Sequence, residues 1–331
     1  MDFKQIILDF PKQFKTGFES TKNLKINGSF KNIIFCGMGG SIIPAEILFT
    51  LLPELANNFH VHRDYGLPSW TTKNDLVICI SWSGGTKETI SSYQAAKRLE
   101  AKTLTITKGL ELKKLAQENN DTMVILPDER IPARSGAGYM FSSLLTVLTN
   151  SGIIDFESEE LVSLSKTLKP DGFEKKGGEI AERIGNWTPL IYSSFQNRFL
   201  ASFWKIKFNE NSKIHSFWNH FPGAGHNEIA GFDHAERDLN PAKRNWDNFF
   251  VILLKDGQDG EAQSKKLSTA AKLLDQRIIP YETIELEGKT RLEKIFNNFI
   301  LSDWTSFYLA KNRGVEPTEA KIIEKFKEME K

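Results

Sequence analysis

Two segments rich in glycine and hydroxyls hold the residue types that grip an anion: Cys36-Gly37-Met38-Gly39-Gly40-Ser41 and Ile80-Ser81-Trp82-Ser83-Gly84-Gly85-Thr86. Glycines bare backbone N–H groups, a helix start just beyond adds partial positive charge, and hydroxyls suit phosphate oxygens. Gly39, Gly40, Ser41, Ser81, Ser83 and Thr86 therefore read as one phosphate cradle. Neither segment holds the Gly-Lys-Ser/Thr of a P-loop, which disfavours ATP or GTP chemistry. The β-branched Ile42 stands where a dinucleotide fingerprint needs glycine, and no clear ribose-binding acid ends the next strand, which disfavours a nicotinamide or flavin. The plain alternative is a pair of tight turns with no ligand.

Proton-transfer candidates lie in the second half. Glu210 sits in Asn209-Glu210-Asn211-Ser212-Lys213 where a helix ends, and His226 in Gly225-His226-Asn227-Glu228-Ile229 where a short helical stretch begins. A carboxylate and an imidazole at element ends could face one ligand, although each alone also reads as an ordinary solvated or satisfied polar residue. His215, His220, His226 and His234 raise a metal hypothesis, but their spacings of five, six and eight are not the i, i+4 pair of a helical zinc site. No cysteine lies near them; Cys36 and Cys79 fall in apolar runs without CxxC spacing and read as packed thiols. The Lys and Arg residues around 239–244 are not interleaved with aromatics, which disfavours nucleic acid.

These residues need a frame, and the hydrophobic periodicity supplies an α/β one. Strands are expected near 32–36, 59–63, 76–81, 102–107 and 123–126, with helices near 41–52, 86–100 and 110–118 between most of them. That rhythm implies a parallel sheet covered on both faces, with its ligand site at the carboxyl ends of the strands. A lysine- and glycine-bearing stretch at 157–180 reads as a linker helix and loop. The rhythm then resumes: strands at 188–193, 213–217, 248–254 and 280–286, helices at 195–210, 261–276 and 291–312, and a charged amphipathic helix at 318–330. At 331 residues the chain exceeds one ordinary domain, so two domains are expected, 1–152 carrying the cradle and 153–331 carrying Glu210 and His226. With 43 Lys plus Arg against 42 Asp plus Glu, the net charge of +1 offers no broad field for nucleic acid or an anionic membrane. No run reaches about 18 apolar residues and the N-terminus lacks a signal pattern, so a cytoplasmic protein is expected.

The ordered series CGMGGS, SWSGGTKET, PARSGAGY, NENSK, FPGAGHNEIAGF, YLAKNRGVEPT and IIEKFK resembles the bifunctional phosphoglucose/phosphomannose isomerase family, whose members contain two sugar isomerase (SIS) domains. Each motif is short, but their order and spacing cover most of the chain. The resemblance implies two SIS-type domains, each a doubly wound, flavodoxin-like parallel sheet flanked by helices. It implies an aldose–ketose isomerase converting glucose 6-phosphate, and mannose 6-phosphate, to fructose 6-phosphate without metal or organic cofactor. On it, the cradle holds the sugar phosphate, Arg134 stabilises developing negative charge, Glu210 moves the proton between C2 and C1, and His226 assists ring opening from the neighbouring subunit of a homodimer. Lys327 matches a C-terminal lysine implicated in ring opening, and Thr318 is the nearby threonine that could correspond to the family's epimer-specificity residue. The chain departs mildly in Ile42-Ile43 after the serine, and in Trp82 and Gly85 where Tyr and Asn are expected.

Two other readings use the same parts. A non-catalytic sugar-phosphate sensor would keep the cradle without needing Glu210, His226 and Arg134 together. A glutamine-dependent aminosugar synthase would need an N-terminal amidotransferase cysteine, and Cys36 sits at a strand end instead.

Overall fold

The computed structural model describes residues 2–232 and 248–329. The chain forms two compact units, Met1–Leu168 and Lys169–Lys331.

The first unit opens with α1 (Phe3–Asp9) and α2 (Lys12–Thr21). Asp2 caps α1 by accepting from the Lys4 amide at 3.3 Å, and Phe3, Ile6 and Ile7 share its buried face at helical spacing. The sheet follows: β1 (Ile33–Cys36), α3 (Ile43–Leu51), β2 (Phe59–His62), β3 (Leu76–Ser81), α4 (Lys87–Arg98), β4 (Lys102–Thr107), α5 (Leu110–Glu118) and β5 (Thr122–Ile125). The strands pair parallel in the order β2-β1-β3-β4-β5. β1 and β3 are buried at every residue, which is why both read as continuous apolar runs and not as alternating ones. The order reverses beside β1, so the loops after β1 and β3 flank the crevice where such sheets take ligands. The apolar α6 (Ala137–Asn150) and then α7 (Glu159–Thr167) complete the unit.

The second unit contains α8 (Glu174–Ile184), β6 (Thr188–Ser194), α9 (Arg198–Glu210), β7 (Phe217–Phe221), β8 (Phe249–Lys255), α10 (Glu261–Arg277), β9 (Tyr281–Glu285), α11 (Arg291–Asn312) and α12 (Lys321–Met329). Its strands pair parallel as β7-β6-β8-β9, the same winding as the first four strands of the other sheet. The doubly wound α/β class expected from the periodicity is what both units show. The central α11 starts at Thr290, whose hydroxyl accepts from the Glu293 amide at 3.2 Å while the Glu293 carboxylate takes the Lys289 N–H at 2.7 Å.

Two sequence expectations need correction. The stretch 157–180, expected as one linker helix and a loop, does hold the helix α7 but continues into most of α8, with Gly177 inside that second helix. A Cβ on Gly177 would come within 2.5 Å of the Trp304 side chain, so this glycine is a close-approach residue against α11, not a breaker. The strand expected at 213–217 starts only at Phe217. Lys213 is in the left-handed region at φ 54°, and the Ser216 hydroxyl bonds back to α9 at the Lys205 carbonyl (3.1 Å) and Asn209 (2.7 Å), so this stretch is the return from α9. β7 is an edge strand carrying Asn219 and His220, which is why its own signal is weak.

Candidate active site

In the first unit three segments distant in sequence meet at the carboxyl end of the sheet. After β1 the chain passes Gly39 at φ +51° and runs a tight 3-10 turn, Gly39–Ile42, into α3. The buried Ser41 hydroxyl accepts the Trp82 N–H at 3.0 Å, joining the first loop to the second. Gly40 lies against the third segment: a Cβ there would stand 2.5 Å from the Arg134 amide nitrogen. The second loop is shaped by Ser81, fully buried, whose Oγ accepts from the Gly84 amide at 3.0 Å and lies 2.9 Å from the Thr86 hydroxyl. Gly84 adopts φ +86°, and a Cβ would overlap the Gly109 carbonyl at 1.8 Å, so only glycine fits that turn. Ser83 is exposed and Thr86 half-buried at the start of α4. The structure thus brings Gly39, Gly40, Ser41, Ser81, Ser83, Thr86 and the backbone of Arg134 to one place, with Ser41 and Ser81 shaping the loops and Ser83 and Thr86 nearer solvent.

The Arg134 segment is held by residues that sequence reasoning missed. The buried Gln13 of α2 donates to the Ser135 carbonyl at 2.8 Å and accepts from the Tyr139 amide at 3.3 Å. Trp82 fills the space over Gly136, where a Cβ would come within 2.3 Å of the indole, and stacks on Tyr139 at 6.4 Å between ring centroids. The Tyr139 hydroxyl bonds Glu129 at 2.5 Å, and burial first and then that carboxylate push the phenol well above its ordinary range. Lys108 lies 5.3 Å from the Trp82 ring and donates to the Glu129 carbonyl at 2.7 Å. The one available signal was a tryptophan placed in a glycine-rich turn.

In the second unit Glu210 is the last residue of α9 and half-buried. Its turn is stapled to α11: Asn211 donates to the Ser306 hydroxyl at 2.9 Å, the Ser212 hydroxyl donates to the Ser306 carbonyl at 2.8 Å, and the fully buried Lys207 ammonium pairs with Asp303 at 2.8 Å. Lys213 donates to the Glu210 carbonyl. The Glu316–Thr318 turn is near, since the Thr318 amide donates to Glu316 at 2.9 Å and that carboxyl, lowered first by Thr318, also feels Lys213. Lys327 lies exposed on α12, paired with Glu324 at 3.0 Å. His226 ends the 3-10 turn Gly223–His226 beyond β7 and is exposed. His215 is exposed; His220 sits on β7 against Phe195 at 5.2 Å, where burial and then the Arg198 charge lower its pKa. Among the described residues no three His, Cys, Asp or Glu side chains converge as a metal set. His234 and the 239–244 cations lie outside the described residues.

The matching mouth of the second sheet is built differently. Asp256, just after β8, takes Lys294 at 2.7 Å and also pairs with Arg291, both from the start of α11. Asp259 accepts from Ser194 at 2.5 Å and from Asn197 at 3.2 Å. Carboxylates of the chain itself occupy the place where the first sheet presents glycines and hydroxyls.

A family model described as the bacterial phospho-glucose isomerase C-terminal SIS domain matches residues 173–329, and a SIS domain model matches residues 29–150. The chain is 32% identical over 303 residues to a bifunctional phosphoglucose/phosphomannose isomerase of Aquifex aeolicus, covering 90% of each sequence. It is 30% identical over 332 residues to the protein of that name from Caldicellulosiruptor bescii, covering 96% of each. The fold is similar to that of tagatose-6-phosphate ketose/aldose isomerase from Escherichia coli, with a TM-score of 0.69 at 15% identity over 96% of this chain and 95% of that one.

Proposed function

Because the chain belongs to the family of bifunctional phosphoglucose/phosphomannose isomerases, we propose that it interconverts glucose 6-phosphate and mannose 6-phosphate with fructose 6-phosphate through a cis-enediol(ate). The observation that carries this reading is the convergence of both glycine-rich loops with the Arg134 segment, fixed by the 3.0 Å Trp82–Ser41 bond and the Gly40–Arg134 approach.

The loop amides together with Ser83 and Thr86 hold the sugar phosphate, while Ser41 and Ser81 set the loop shapes that aim those groups. A fixed dianion at C6 orients C1 and C2, so binding energy far from the reaction is turned into geometry there. Ring opening moves the C1 hydroxyl proton off while O5 gains one, a transfer assigned to His226, with Lys327 assisting. Glu210 removes the C2 proton, the electron pair forms the C1–C2 double bond, and O1 gains a proton. That proton is the one the O2 hydroxyl gives up, and the resulting enediolate collapses as O2 becomes the ketone and Glu210 returns its proton to C1. A general base of this kind supplies about 10² to 10⁴-fold, the remainder coming from orientation and from Arg134 stabilising the oxyanion. Glucose and mannose 6-phosphates differ only at C2 and give the same enediol, so one base serves both, with Thr318 the candidate for accommodating either C2 hydroxyl.

We assign the working unit as a cytoplasmic homodimer in which His226 acts on the neighbouring subunit's substrate, with no metal or cofactor required. The test is a coupled assay of fructose 6-phosphate formation from both epimers, without ammonia or glutamine. Glu210→Gln should lower kcat by about 10³-fold or more with substrate binding changed only a few-fold. Wild-type turnover in that variant would refute the base, and binding without turnover in the wild type would favour the sensor reading.

A further inference from the structure

His226 is exposed, and its ring makes no hydrogen bond among the described residues, so the placement of the imidazole depends on the turn that carries it. That turn leaves β7 at Phe221 and closes through the Gly225 amide on the Pro222 carbonyl at 3.1 Å. Ala224, buried between sheet and helix, plugs it into the apolar cluster around Leu253 and Leu274. What fixes its far end is Glu228. Tyr192 of β6 and Asn219 of β7 are direct register partners on neighbouring parallel strands. The Tyr192 hydroxyl donates to Glu228 Oε2 at 2.8 Å, and the Asn219 amide donates to Glu228 Oε1. The Asn219 carbonyl oxygen is itself engaged by the His220 N–H at 2.8 Å, which turns the NH₂ group toward the carboxylate. One carboxylate therefore spans two strands, one oxygen on each.

We infer that Glu228 is a positioning residue for His226: by bridging Tyr192 and Asn219 it anchors the far end of the turn whose near end is β7, so that the imidazole is presented in one place. The inference rests on the role given to His226 above. The donor side of the bridge is robust, because burial and then the neighbouring carboxylate push the Tyr192 phenol well up, keeping its proton on oxygen. A leucine at 228 keeps the side-chain bulk but accepts from neither donor, so it releases both strands, whereas glutamine could keep the bridge by accepting from Asn219 and donating to the Tyr192 oxygen. The bland alternative is a carboxylate that only stabilises the turn, and it makes a different prediction in combination with a change at His226.

The experiment is a double-mutant cycle on the full-length enzyme, with kcat and KM for glucose 6-phosphate read separately. Glu228→Leu should lower kcat roughly 10- to 100-fold with KM little changed, the scale expected when a reacting group is displaced by about an ångström. In a His226→Ala background the same substitution should cost less than about twofold, because there is no imidazole left to place. Tyr192→Phe, which removes one strand's bond and no charge, should show the same pattern with a smaller loss and keeps the test decisive if Glu228→Leu weakens folding. Equal losses in both backgrounds would overturn the positioning role while leaving His226 catalytic. Wild-type turnover in His226→Ala would instead remove the role of His226 and this inference with it, whereas the proposed isomerase activity is judged separately on the wild-type protein and Glu210→Gln.

Discussion

At the scale of single residues, hydroxyls that look equivalent in the sequence do different work. Ser41 and Ser81 are buried and spend their oxygens on the Trp82 and Gly84 amides, whereas Ser83 is exposed. Ser83→Ala should therefore raise KM for glucose 6-phosphate by about 5- to 10-fold, the value of one lost hydrogen bond to a charged group, with kcat nearly constant. Steady-state kinetics check this, and an unchanged KM would count against the cradle. The presence of these residues was legible from their types and order, but their division of labour was not. Whether a serine faces ligand or backbone depends on the path of the loop, and that path is set by Gly84 against Gly109 and by Gly40 against Arg134, contacts with partners remote in sequence. Gln13 was invisible for the same reason, being 122 residues from the Ser135 carbonyl it holds.

At the scale of elements, strands buried on both faces announced themselves, while edges and close approaches did not. β3 is apolar from Leu76 to Ile80 because helices cover both its faces, but β7 mixes Phe217 with Asn219 and His220 at a sheet edge. Gly177 within α8 obeyed packing against Trp304 in preference to its own helix propensity. The join of β8 to α11 makes a testable case of buried electrostatics. Asp256 is nearly inaccessible; burial raises its carboxyl, but hydrogen bonds from Lys294 and the Gln258 amide and the Arg291 charge outweigh that and hold it below its ordinary 3.8. A depressed folded-state value means stability present above about pH 4 that is lost as pH falls through the lowered value, so acid should loosen this join. Asp256→Ala, which leaves Arg291 and Lys294 without this carboxylate, should cost roughly 3–5 kcal/mol in urea unfolding at pH 7, and much less below about pH 3. A pH-independent difference would contradict the ion-pair account.

At the scale of the whole molecule, the assignment of His226 to the neighbouring subunit makes the two halves of the chemistry separable. Glu210→Gln and His226→Ala chains should each be nearly inactive alone. Mixed under exchanging conditions, they should regain activity approaching a quarter of wild type, because half the dimers are mixed and each holds one site with both native groups. Activity of the mixture no greater than that of its components would place both groups on one chain. The recurrence of one winding in both sheets has a further consequence. Among the described residues the second mouth is filled by ion pairs of the chain's own carboxylates, so on the proposed function phosphate anchoring should occur once per polypeptide although the architecture occurs twice. On that reading half of the repeated design is released from holding cargo and left to carry reagents.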